Sequence, residues 1–210
     1  MLYKNTVSPL LWNSLVKLMQ RKEFNPFRLV GGTSLSLQLG HRESVDIDLF
    51  TDVEYGTLDH IQLEQALLEE FPVVQYDKHE EFGMGKSYFI GNSHDSLIKL
   101  DLFYTDPFVF PIDQKEKIRF ASIHEIAAMK LEVISNGGRK KDFWDIHELL
   151  DHFRIEELLE IYHQRNPFGD EPSKLRKQLI HFEKAEHEPS PNCLRNKAWE
   201  LIKLDLEDLV

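Results

Sequence analysis

Gly31-Gly32-Thr33-Ser34, followed by His41-Arg42-Glu43-Ser44-Val45-Asp46-Ile47-Asp48-Leu49-Phe50, carries the densest chemistry in this 210-residue chain. Glycines between a strand and a helix let backbone N–H groups approach phosphate oxygens, and a helix amino terminus favours the anion. Thr33 and Ser34 add hydroxyl donors. Asp46 and Asp48 are two residues apart, so on a strand they face the same way. Two carboxylates side by side require a cation between them, and Mg2+ or Mn2+ suits oxygen ligands. A phosphate cradle beside a metal site equips a protein to attack the first phosphate of a nucleoside triphosphate.

Three further charges extend the constellation. In Leu97-Ile98-Lys99-Leu100-Asp101-Leu102-Phe103 one strand face is wholly apolar, while the other carries Lys99 and Asp101. If that strand lies beside the first, Asp101 completes a three-carboxylate cluster able to hold two metals. Lys130 falls in the apolar stripe of Ile123, Ile126, Ala127 and Ile134, where a lysine either snorkels or meets an anion. Asp142 falls in the stripe of Ile146, Leu149 and Phe153, with Asp145 at its edge. Lys130 therefore either locks to Asp142 between two helices or faces a phosphate.

The elements that must position these groups follow from local signals. Ser8-Pro9 starts a helix over 10–21. A short buried strand over 27–30 ends in the glycine pair, and a helix over 33–39 is closed by Gly40. A strand spans 46–51, and Thr57 caps a helix to about Glu70. Strands follow over 73–76, 86–90 and 96–103, with Gly91-Asn92 as a hairpin turn. From Ser122 the chain is mostly helical: Ser122 and Glu125 make a capping box, Gly137-Gly138 ends that helix, and the next begins at Asp142. The expected fold class is mixed α/β, a mixed sheet flanked by helices over 1–120 followed by a helical region over 121–210.

Composition narrows the setting. A net charge of −11 argues against a general nucleic-acid coat, although Lys115, Lys117, Arg119, Lys130, Arg139, Lys140 and Lys141 gather mid-chain as a modest basic footprint. Phe143 and Trp144 beside them would stack bases or pack in the core. The single cysteine, Cys193, excludes an internal disulfide and fits a reducing compartment. No apolar run is long enough for a membrane span, so the reading is a cytoplasmic protein with no membrane partner. The scattered histidines lack metal-ligand spacing.

Assembled, these residues resemble a polymerase-beta-type nucleotidyltransferase, and within that superfamily the AbiEii/AbiGii toxins of bacterial type IV toxin–antitoxin systems. The resemblance runs through Leu29-Val30-Gly31-Gly32-Thr33-Ser34-Leu35 and His41 to Phe50. It resumes at Lys99-Leu100-Asp101-Leu102 and ends with Lys130, Arg139 and Lys141-Asp142-Phe143-Trp144-Asp145-Ile146. It implies that Gly31, Gly32 and Ser34 grip a triphosphate, that Asp46 and Asp48 bind the metals with Asp101 as third acid, that Lys130 contacts a phosphate, and that Asp142 is the helical acid of the last motif. It also implies Mg2+ or Mn2+ as cofactor, a nucleoside triphosphate as substrate, tRNA or another RNA as acceptor, and a cognate antitoxin as partner. The tail from Glu156 is short and acidic where many relatives carry a larger helical region. A protein-modifying transferase and a non-catalytic nucleotide-binding regulator on the same fold stand as alternatives.

Overall fold

The computed structural model describes residues 1–209. Its strands are β1 (Arg28–Leu29), β2 (Ile47–Thr51), β3 (Val73–Gln75), β4 (Gly85–Ser93), β5 (Ser96–Tyr104), β6 (Ile112–Lys115) and β7 (Ile118–Ala121). They form one mixed sheet in the order β3-β4-β5-β2-β1-β7-β6. Helices α1 (Pro9–Gln20), α2 (Gly31–Leu39) and α3 (His60–Glu70) intersperse the strands, and α4 (Ile123–Ser135), α5 (Lys140–Leu149), α6 (Ile155–Arg165), α7 (Pro172–Leu179), α8 (Glu183–Glu186) and α9 (Trp199–Glu207) follow them.

Alternation along the strands decides which face goes where. Ile47 and Leu49 of β2, Tyr88 and Ile90 of β4, and Leu100 and Leu102 of β5 pack with Leu11, Leu15 and Leu18 of α1 and Leu63 and Leu67 of α3. Each such leucine, fully buried, stabilises the fold by about 1.5–3 kcal/mol. The other side chains of β2 and β5 face the opposite way. A second core joins Val30, Leu35 and Leu39 to the helices from α4 to α9, and Phe50 of β2 packs against it. Asp48, between Leu49 and Ile47, thus projects toward the space in front of α4. No helix among the described residues is long and apolar enough to cross a membrane.

Several local expectations shift for identifiable reasons. Helix α2 begins at Gly31 rather than Thr33, and β2 begins at Ile47, leaving Asp46 in the loop before it. Asp59, not Thr57, caps α3: its Oδ1 accepts from Gln62 N at 3.0 Å, while the Thr57 hydroxyl donates to Glu54 O. The β4–β5 hairpin does not turn at Gly91-Asn92; β4 continues to Ser93 through a register shift after Gly91. A Cβ at Gly91 would strike the Ser96 carbonyl, so that glycine marks close backbone approach instead. Ser122 caps α4, its Oγ accepting from Glu125 N at 3.2 Å, but Glu125 does not return the bond. Its carboxylate accepts instead from Val109 N, Phe110 N and Arg165 Nε.

The hairpin of β6 and β7 has no counterpart in the sequence reading. Its turn residues Glu116 and Lys117 both hold positive φ (49° and 68°), a conformation that Asn and Gly usually announce. β7 pairs in parallel with β1, Leu29 opposite Phe120, and so steadies the strand that leads into the glycine pair.

Candidate active site

The carboxylates converge because two strands from distant parts of the chain lie side by side. β2 and β5 are parallel and in register, with Asp48 directly opposite Asp101. Asp46, Asp48 and Asp101 line one cavity of about 210 Å³ together with Gly31, Gly32, Lys99, Lys130 and Lys141. Asp101 is already engaged: its Oδ1 accepts from Ser87 Oγ at 2.5 Å and its Oδ2 from Lys99 Nζ at 2.6 Å. Asp46 stands 3.9 Å from Lys141 Nζ. Burial, then the neighbouring Asp101, pushes the Asp48 carboxyl up to about 6, against the pull of Lys130. Among the described residues, no three His, Cys, Asp or Glu side chains close into a metal cage.

The glycine pair is shaped by what touches it. Val30 N donates to Asp48 O at 2.9 Å, which sets α2's amino terminus against β2. Gly31 holds φ +68°, and a Cβ there would overlap the Asp48 carboxylate; one at Gly32 would overlap the Arg42 guanidinium. The N–H groups of the first turn have no partner within a helix, so they are presented to the cavity mouth. Thr33 and Ser34 are both fully buried and stand behind the cavity wall. Thr33 Oγ1 sits between Ser44 Oγ (2.8 Å) and the Asp46 carbonyl, fastening the loop that carries the first acid. Ser34 Oγ accepts from Gln38 Nε2 at 3.3 Å. Their hydroxyls hold structure where the sequence reading had them as phosphate donors. Gly31→Ala is expected to cost about 1–2 kcal/mol for the left-handed backbone and to displace Asp48, lowering activity at this site by more than the stability loss accounts for. Urea melts alongside initial rates test this.

Behind the cavity lies a buried ion network. Asp145, expected at the edge of its helix stripe, is its fully buried hub. Arg42 grips it twice, Nε to Oδ1 at 2.6 Å and Nη2 to Oδ2 at 2.8 Å. His41 Nε2 lies 2.7 Å from Oδ1, and Lys130 Nζ 2.7 Å from Oδ2. Lys130 also donates to Asp142 Oδ1 at 2.6 Å, which answers the question of its partner. Asp142 Oδ2 accepts from Arg139 N at 3.0 Å and so caps α5. Burial opposes the charge on Asp145, but Arg42 and Lys130 hold it well below the usual carboxylate range. Burial likewise works against Lys130, yet Asp145 and Asp142 raise it above the ordinary lysine value. Lys130 and Asp142 reach the cavity wall as members of a neutralised cluster, not as isolated charges.

The sequence that carries this arrangement matches a known family over almost the whole chain. The model of the nucleotidyl transferase AbiEii toxins of type IV toxin–antitoxin systems matches residues 14–209. The chain belongs to this family. A similar sequence is an uncharacterised protein of Aquifex aeolicus strain VF5, 30% identical over 189 residues and spanning 83% of this chain and 82% of that one. Among solved structures, the nucleotidyltransferase toxin MenT4 of Mycobacterium tuberculosis H37Rv aligns with a TM-score of 0.60 at 18% identity, covering 93% of this chain and 81% of that one. JHP933 of Helicobacter pylori aligns with a TM-score of 0.50 at 17% identity, covering 94% and 90%. The fold is that of a nucleotidyltransferase, and this AbiEii-family chain is an enzyme of that kind.

For an AbiEii nucleotidyltransferase, the sequence reading missed four groups as site members: Arg42, Lys99, Arg139 and Lys141. Lys99 was legible, since it shares a strand face with Asp101. Arg139 and Lys141 line the carboxylate cavity and also a second one of about 420 Å³, which opens beside Ser44 and Asp46 and is walled by residues 188–192. That wall is tied down by Glu43 N donating to Asn192 O at 2.9 Å and Leu194 N to His41 O at 2.8 Å. Burial, then Arg139, depresses the Lys141 ammonium. The mid-chain basic footprint, by contrast, disperses. Arg119 donates to the carbonyls of Met19, Phe24 and Phe27, and Lys130 and Lys140 are buried. Phe143 and Trp144 are both in the core, so neither ring is available to a base.

Proposed function

We propose that this AbiEii-family enzyme transfers a nucleoside monophosphate from a nucleoside triphosphate to a hydroxyl of an RNA acceptor, tRNA first among them. It would do so in the cytoplasm with Mg2+ or Mn2+, as the toxin of a pair restrained by a cognate antitoxin. The observation that carries this reading is the register of Asp48 opposite Asp101 at the foot of the Gly31-Gly32 turn. A buried carboxyl raised to about 6 beside two further acids is a site that gains from a divalent cation. The donor set is all oxygen, which suits Mg2+, an ion usually bound through one or two carboxylates plus substrate phosphates. Asp46 and Asp48 would hold the metal, with Asp101 as third acid; bound there, it would neutralise charge on the transferring phosphoryl group.

The chain's own residues divide the remaining work. The Gly31-Gly32 turn and the first turn of α2 receive phosphate oxygens. Lys141 and Arg139 add positive charge on the cavity wall. Asp101 orients and activates the attacking hydroxyl, once Lys99 releases its Oδ2. Lys130, held by Asp142 and Asp145, fixes the wall opposite β2. A protein hydroxyl is the competing acceptor, favoured by the net charge of −11 and the dispersed basic footprint.

Pyrophosphate release with each nucleoside triphosphate, Mg2+ and total tRNA, compared between wild type and Asp48→Ala, tests the reading. Release that needs RNA and disappears in the variant is expected. Nucleotide binding without release in any mixture would leave a regulator on the same fold, and label moving onto protein would replace the acceptor.

A further inference from the structure

The sheet is covered unequally. On the β3–β4–β5 side, α3 packs on one face, while the other carries Ser87 and Phe89 of β4 and Lys99 and Asp101 of β5. Phe89 is 45% exposed, and the Lys99 side chain 39%. Cross-strand register makes these neighbours: Phe89 is opposite Lys99, and Ser87 opposite Asp101. An aromatic ring, a cation and the third carboxylate therefore form one patch that runs from open solvent into the catalytic cavity.

In-line transfer decides what that patch faces. The leaving pyrophosphate is drawn to the glycine turn after β1, on one side of β2; β5 lies on the other side. The incoming hydroxyl must then arrive over β5. We propose that the open face of β4 and β5 is the acceptor platform and that it takes the single-stranded 3′ end of an RNA, one base stacked on Phe89 and a phosphate on Lys99. This rests on the RNA-acceptor reading above. Neighbouring strands are about 5 Å apart, a spacing that lets one nucleotide reach a ring and a cation on adjacent strands together. A phosphate on Lys99 also draws that ammonium from Asp101 Oδ2, freeing the oxygen for the acceptor hydroxyl. A stacked aromatic reads any base face, so the platform selects a free strand end rather than a sequence.

The test pairs binding with turnover, using a fluorescein-labelled single-stranded RNA ending in a 3′ hydroxyl and the intact protein. Phe89→Ala should weaken RNA binding and raise the acceptor KM about tenfold, leaving the triphosphate KM unchanged. Phe89→Trp should restore both, and Phe168→Ala, an exposed ring elsewhere, should change neither. RNA affinity and acceptor KM unmoved in Phe89→Ala would overturn the platform even if wild type labels RNA. Loss of affinity in Phe89→Ala without any labelling by wild type would support the platform and sink the RNA-transfer reading instead. Wild type with no affinity for the RNA would overturn the platform outright.

Discussion

Asp48→Asn is expected to abolish nucleotidyl transfer, by about a thousandfold or more, while making the folded protein more stable at neutral pH. Both effects come from one carboxyl. Burial and Asp101 raise it to about 6 from an ordinary 3.8, so the folded state pays to ionise it. The folded protein binds a proton more tightly here than the unfolded chain does. The resulting cost is absent below the ordinary value, grows as pH rises toward 6, and is fully present above it. Removing the charge should therefore gain on the order of 2–3 kcal/mol at pH 8 and nothing near pH 3.5. Urea titrations of both proteins across that range measure it. Mn2+ should narrow the gap at pH 8, because a bound cation relieves the same repulsion in wild type only. A variant no more stable than wild type at pH 8 would show that Asp48 carries no such burden. Activity should fall as pH drops below about 6, since the proton competes for the oxygens that a cation needs.

The second large effect concerns the buried hub. Asp145→Ala leaves the Arg42 guanidinium and one side of Lys130 without their shared carboxylate, in a region where Arg42 is 3% and Lys130 6% exposed. Breaking one partner of a buried pair typically costs about 3–5 kcal/mol, a large share of a domain's stability. We expect Asp145→Ala to be severely destabilised or insoluble. Replacing Arg42 together with Asp145, as Arg42→Met with Asp145→Leu, should recover part of the loss, because no unpaired guanidinium remains and Lys130 keeps Asp142. Recovery of folding in the double variant without recovery of activity would assign the network to positioning: Arg42 packs against Gly32, Lys130 reaches the cavity wall, and both move when the hub is lost. If the double variant is no more stable than Asp145→Ala, the charge-pair account fails. The network joins three elements that local sequence cannot relate, the loop before β2, α4 and α5.

What the sequence determined by itself was the chemistry that is local. Glycine conformational freedom and the carboxylate's need for a cation are properties of short segments, so Gly31-Gly32 and the Asp46–Asp48 pair could be singled out directly, although Asp46 stands in the loop before β2 and not on the strand. The apolar face of β5 likewise singled out Asp101, and the helical period singled out Lys130 and Asp142. Thr33 and Ser34 are both enclosed, which local sequence does not record, because a hydroxyl near a phosphate turn looks the same whether it points out or back. The β6–β7 hairpin escaped because Glu116 and Lys117 adopt a turn that their types do not advertise. Tertiary structure alone decided that Asp48 and Asp101 are neighbours, that Asp145 rather than Asp142 is the hub of the charge network, and that Phe89 stands on an open face beside the site. Those facts depend on register and burial between segments tens of residues apart. A one-residue slip between β2 and β5 would turn Asp101 into the core, and no local propensity at either strand records that choice.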